Sequence, residues 1–261
     1  GALSSLVADG IRKAIDGIKE CVKEAITITN EIDKATNTFI SQTGESTESA
    51  EKFRNIMLDI YNDNFGENFE DIAKSMATVK QNLKELDGDE LKKATENALL
   101  LRDTFEFDIN ESTRTASMLV KQFGINSEEA FALMAQGAQL GLDKNGDLLD
   151  TLNEYAVHYK QLGYSVDDMM NMLVNGTKSG TFSVDKLGDA IKEFGIRSKD
   201  TANTTTEGFQ LIGLNADKMR KKFAQGGEVA KEATNETLKA LFNLDNQVKR
   251  NQAGVDLFGT M

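Results

Sequence analysis

Three stretches decide how this chain reads: Phe123-Gly124-Ile125-Asn126-Ser127-Glu128, Leu162-Gly163-Tyr164-Ser165-Val166-Asp167 and Ile212-Gly213-Leu214-Asn215-Ala216-Asp217. Each runs apolar residue, glycine, apolar residue, Asn or Ser, then an acid two places on. A second glycine (Gly137, Gly176, Gly226) follows 13 residues after the first. Glycine after an apolar residue suits the left-handed position that closes a helix. Asn or Ser two places later suits the N-cap of the next helix. Glu129 and Asp168 stand three residues past Asn126 and Ser165, the spacing of a capping box. The pattern is helix punctuation and holds no reactive group.

The first glycines are 39 and then 50 residues apart. A period near 40 residues is that of HEAT and armadillo repeats, but neither signature is present. The spacing therefore predicts an irregular array of helical hairpins. Phe107-Asp108-Ile109-Asn110 reads as a degenerate copy, with Asp108 in the left-handed place of glycine.

Around these joints the apolar residues recur at helical steps. Residues 1–40 read as one amphipathic helix, with Leu3, Val7, Ile11, Ile15, Ile18, Val22 and Ile26 on one stripe. Such a stripe packs on a core, on a partner helix or at a membrane surface. Its mixed charges favour a core or a coiled coil. Residues 41–122 read as about four shorter helices, broken at Thr43-Gly44, Phe65-Gly66 and Asp87-Gly88. Residues 123–242 hold the hairpin repeats, with 198–208 expected to be a polar loop. Residues 243–261 read as a polar connector to further chain. The fold class is all-α, and the absence of proline from all 261 residues agrees with long uninterrupted helices.

Charge narrows the partners. Residues 31–177 carry 13 basic and 27 acidic side chains, a net −14, whereas 178–250 carry 13 and 10, a net +3. An acidic surface repels a phosphate backbone, so direct nucleic-acid binding is disfavoured. The basic cluster Lys218, Arg220, Lys221 and Lys222 reads as a solvated helix face. Cys21 allows no internal disulfide and reads as a small apolar filler. No apolar run approaches the ~20 residues that span a bilayer.

Reactive constellations fail on their own chemistry. Asp143-Lys144-Asn145-Gly146-Asp147 through Glu154 offers oxygens at positions 1, 3, 5 and 12 of a calcium loop. Leu148 occupies the position that needs glycine. Glu154 and His158 share a helix face, but His158 is the only histidine and no third ligand accompanies it. A surface or half-buried His158 hydrogen-bonded to Glu154 is expected instead. Gly176-Thr177-Lys178-Ser179-Gly180 closes a helix where a phosphate loop would open one. Met169, Met170 and Met172 read as core filler or an adaptable interface. No catalytic, cofactor-binding or metal residue is expected, and the chain reads as a non-enzyme without cofactors.

Leu148–Gly163 (LLDTLNEYAVHYKQLG), Asp185–Arg197 (DKLGDAIKEFGIR), Ala253–Met261 (AGVDLFGTM) and Phe123–Gly141 resemble a region of the tail tape-measure proteins of long-tailed bacteriophages and prophages. The resemblance runs over roughly 85–261 and thins towards the N-terminus. It implies an internal piece of a virion structural protein, made in the bacterial cytoplasm and housed in the tail lumen. It implies roles in tube assembly, tail length and genome ejection. The implied partners are tube and tail-tip proteins and other copies of the chain, with membrane contact only during ejection through the N-terminal helix. Some members carry peptidoglycan-cleaving domains, and nothing here matches those. A helical-repeat protein-binding scaffold is the alternative. A hydrolase would have to work through His158. As one straight helix 261 residues would reach about 390 Å, but the glycine joints predict compact hairpins.

Overall fold

Apolar spacing sets the helix limits, and side-chain caps at Asn68, Asp108, Asn126, Ser165, Ser183, Asn215 and Asn246 open seven of the helices. The computed structural model describes residues 2–181 and 183–259; in the first turns of the chain and at 18, 21 and 22 it describes the backbone alone. The side chains of Leu3 through Val22 on the expected stripe, and Cys21, therefore lie outside the described residues. No strand occurs among the described residues, and the fold is all-α as the periodicity predicts. The helices gather into two units, Gly1–Leu100 and Leu101–Met261.

The first unit is built on α1 (Ala2–Thr43), α2 (Ala50–Asn62), α3 (Phe69–Asn82) and most of α4 (Gly88–Phe105), with a short 3-10 turn at Thr47–Ser49. Among the described side chains of α1, those from Ile32 onward enter the core. There Ile32, Ala35 and Phe39 are fully buried with Met57, Ile60, Ile72 and Met76. The Phe39 and Phe53 rings lie 4.5 Å apart. Residues 23–31 are exposed on every side, and Ile26 is 56% exposed. Length explains this: a 42-residue helix runs about 63 Å, and helices of 13 and 14 residues cover about 20 Å of it. Lys92 holds Asp63 at 2.6 Å and Lys52 pairs with Asp87, tying α2 to the start of α4.

The second unit alternates between two layers. α5 (Ile109–Phe123), α7 (Leu148–Gln161) and α9 (Val184–Arg197) lie side by side in one row. α6 (Ser127–Gln139) bridges α5 and α7, and α8 (Val166–Lys178) bridges α7 and α9. These are the expected hairpins. The alternation then breaks. α10 (Asn203–Leu211) joins the row beyond α13 (Gln247–Phe258), which lies between it and α9. α11 (Ala216–Gln225) and α12 (Gly227–Phe242) return across, and α12 reaches α7.

Two stretches differ from the sequence reading. Residues 203–208, expected within a polar loop, are helical in α10. The helix has no side-chain cap at Ala202, so packing forms it: Thr205 and Phe209 are fully buried. Residues 247–258, within the stretch read as a connector, form α13 and bury Ala253, Asp256 and Leu257. Among the described residues no helix is long and apolar enough to cross a membrane.

Candidate functional site

The repeated joint is a four-residue unit, and the structure shows more copies of it than the sequence suggested. A left-handed residue stands at Gly66, Glu106, Gly124, Gly163 and Gly213, with φ of +75°, +61°, +73°, +83° and +76°. Two residues later an Asn, Asp or Ser caps the next helix. Asn68, Asp108, Asn126, Ser165 and Asn215 accept the backbone N–H three places on at 3.0, 3.0, 2.8, 3.1 and 2.9 Å. Glu129 and Asp168 accept in return from the N–H of Asn126 (3.2 Å) and Ser165 (3.0 Å). Lys218 fills the equivalent place after Asn215, and Asn215 forms no such box.

The degenerate copy is real but shifted. Asp108 was expected in the left-handed place. It is extended at φ −62° and ψ 135° and acts as the cap, while Glu106 is left-handed. The register runs Phe105-Glu106-Phe107-Asp108. The signal in the sequence was Asp108 with Glu111 three residues later, the capping spacing. Phe65-Gly66-Glu67-Asn68 is a further copy, marked by Asn68 and Asp71.

The second glycines divide in role. Gly137 and Gly176 lie inside α6 and α8 and let neighbours close in. A Cβ on Gly137 would stand 2.9 Å from a Leu148 methyl, and one on Gly176 2.4 Å from a Leu187 methyl. Their carbonyls accept from Leu142 (3.0 Å) and Thr181 (3.2 Å), the long bond of a Schellman closure. Only Gly226 punctuates, standing between α11 and α12 at φ +69°.

The middle joint is clasped. A Cβ on Gly163 would lie 2.0 Å from the Gly227 carbonyl oxygen, so the start of α12 sits against the bare Cα. Lys231 on α12 holds Asp168 at 2.7 Å and lies 5.7 Å from the Tyr164 ring centre. That hydrogen bond is the main reason the Asp168 carboxyl sits below its usual range. The joints at Gly124 and Gly213 have open space at the same point.

The groups weighed for chemistry are committed elsewhere. Asp143 accepts from the Leu148 N–H at 2.9 Å and so anchors the start of α7; burial pushes its pKa up. Glu154 accepts from Lys192 at 3.0 Å and acts on His158 as a nearby charge, in place of the hydrogen bond expected between them. Burial, with Lys192 adding to it, pushes the half-buried His158 below its ordinary value. Among the described residues no group of three or more His, Cys, Asp or Glu side chains is placed to hold a metal. Met169 and Met170 are buried, as core filler should be. Arg220 departs from the solvated face expected of it. It donates to the Asp200 carbonyl, to Thr206 Oγ1 and, at 2.8 Å, to Asp217, pinning α10 to α11.

What remains is an architecture of joints, caps and helix faces. The family described as phage-related minor tail protein matches residues 61–259, which takes in every joint above. A probable tape measure protein of Streptomyces phage phiC31 is 29% identical over 174 residues, covering 66% of this chain and 23% of that protein. The chain thus spans under a quarter of the relative's length. No solved structure matches. The chain belongs to the phage-related minor tail protein family.

Proposed function

We propose that this chain is a segment of a tape-measure protein that helps to set tail length and to assemble the tail tube, working through shape and packing. Family membership makes it a structural component of a phage tail. The finer reading places it in the tail lumen, with tube and tail-tip proteins and other copies of itself as partners, and with a part in genome ejection. It acts without catalysis or a cofactor. Membrane contact is confined to ejection and to α1.

The observation that carries this reading is the glycine joint. Joints cut a proline-free helical chain into hairpins whose residues are spent on caps and packing. The same chain, opened at its joints, would measure length at 1.5 Å per residue.

The test is an in-frame deletion of residues 125–163, which removes 39 residues from one joint to the next and keeps the register. Electron micrographs should show tails shorter by about 59 Å, the helical rise of the missing stretch. Unchanged tail length and infectivity would favour a protein-binding scaffold with no part in measurement.

A further inference from the structure

We infer that the groove between α6 and α8 is a docking site for a cationic amphipathic helix of a partner protein. In the second unit α6 leans on α5 and α7, and α8 leans on α7 and α9, so the two barely touch each other. The wedge left between them is an open groove of about 550 Å³. Its apolar lining is the half-buried Ile125, Leu133 and Ala135, exposed Ala132 and buried Val166, and exposed Gln136 and Gln139 make up its uncharged polar wall. Its charged side chains are Glu129 and Asp167, both exposed, and no lysine or arginine lines it.

Shape selects a helix. The lining residues of α6 run from Glu129 to Gln139 at steps of three and four, so the groove follows the helix axis for about 15 Å, room for some ten helical residues. An apolar strip beside a helix takes the anchors of a second helix at i, i+3 or i+4, and i+7. Charge selects the flanks. Glu129 and Asp167 are the charged side chains of the groove's rim, and a docked helix with Lys or Arg beside its anchors would complement them. The groove does not depend on the tail-length reading, and either can fail without the other.

The probe is a fluorescent 14-residue synthetic helix with Leu at the anchor positions and Lys elsewhere, titrated by anisotropy into the full chain at physiological ionic strength. A second peptide carries Glu in place of Lys. The full chain should bind the Lys peptide and ignore the Glu peptide. Leu133→Asp decides between docking and bulk attraction. It adds negative charge, so simple electrostatics predicts tighter binding. Loss of the apolar floor predicts binding weaker by about tenfold, the worth of one leucine-sized contact. Asp167→Lys, at an exposed position, leaves the floor intact and should weaken the Lys peptide by about threefold. No binding to the full chain, or undiminished binding to Leu133→Asp, overturns the inference.

Discussion

A glycine at a helix joint meets two separate demands, a left-handed backbone and a bare Cα, and the joints of this chain differ in which they impose. Gly124 imposes only the first, because a Cβ there would meet nothing within 4 Å. Gly124→Ala should lower stability by about 1 kcal/mol, the strain of a left-handed alanine. Gly163 imposes both, since the Gly227 carbonyl occupies the space of a side chain. Gly163→Ala should lower stability by about 3 kcal/mol or more, because two backbones must part. Urea midpoints of the two variants check the order; equal losses would mean that the clasp is absent in solution.

His158 gives a second residue-scale prediction. Its folded pKa is lowered, chiefly by burial. As pH falls through the ordinary value of about 6.5, the unfolded chain takes up the proton first, and stability is lost. Asp143 and Glu96 have raised values and act in the opposite sense at lower pH. The clean measurement is therefore a difference. Between pH 7.5 and 5 the urea midpoint of His158→Gln should decline less than that of the parent chain.

At the scale of elements, α10 is formed by packing and held in addition by one side chain, Arg220. It has no capping side chain, and its sequence Asn-Thr-Thr-Thr-Glu-Gly has weak helix propensity. Arg220, with 15% of its side chain exposed, holds both ends of the approach to it. Arg220→Ala should cost about 2 kcal/mol, the range for lost hydrogen bonds to a charged group. It should also speed amide exchange across residues 203–211 while leaving α5 to α7 protected. Uniform protection would assign the helix to packing alone.

The elements also show what could be read in advance. Joints marked by glycine and a capping Asn or Ser were legible, because each residue type answers a local backbone demand. Glu106 was not, since nothing in a glutamate announces a left-handed conformation; its neighbour Asp108 carried the only mark. α10 was hidden because Thr205 and Phe209 become buried only through long-range packing. That α1 is one long helix was legible, but not the fact that Ile26 stays exposed, because a periodic pattern does not name what covers it. The groove between α6 and α8 was illegible for the same reason: it arises from how far apart two helices settle on a third.

At the scale of the whole molecule, the account rests on the second unit folding back at its joints. Its row of helices and bridging helices buries Leu148, Leu152, Tyr159, Phe194 and Phe209 almost completely. Burial of that kind is lost if the joints open into one rod. On the tape-measure role proposed above, the joints are where this packing would be given up. Small-angle scattering of residues 101–261 alone tests this most directly. The account predicts a radius of gyration of about 15–20 Å, that of a folded domain of this length. A value near 70 Å, that of a straight helix of about 240 Å, would contradict it.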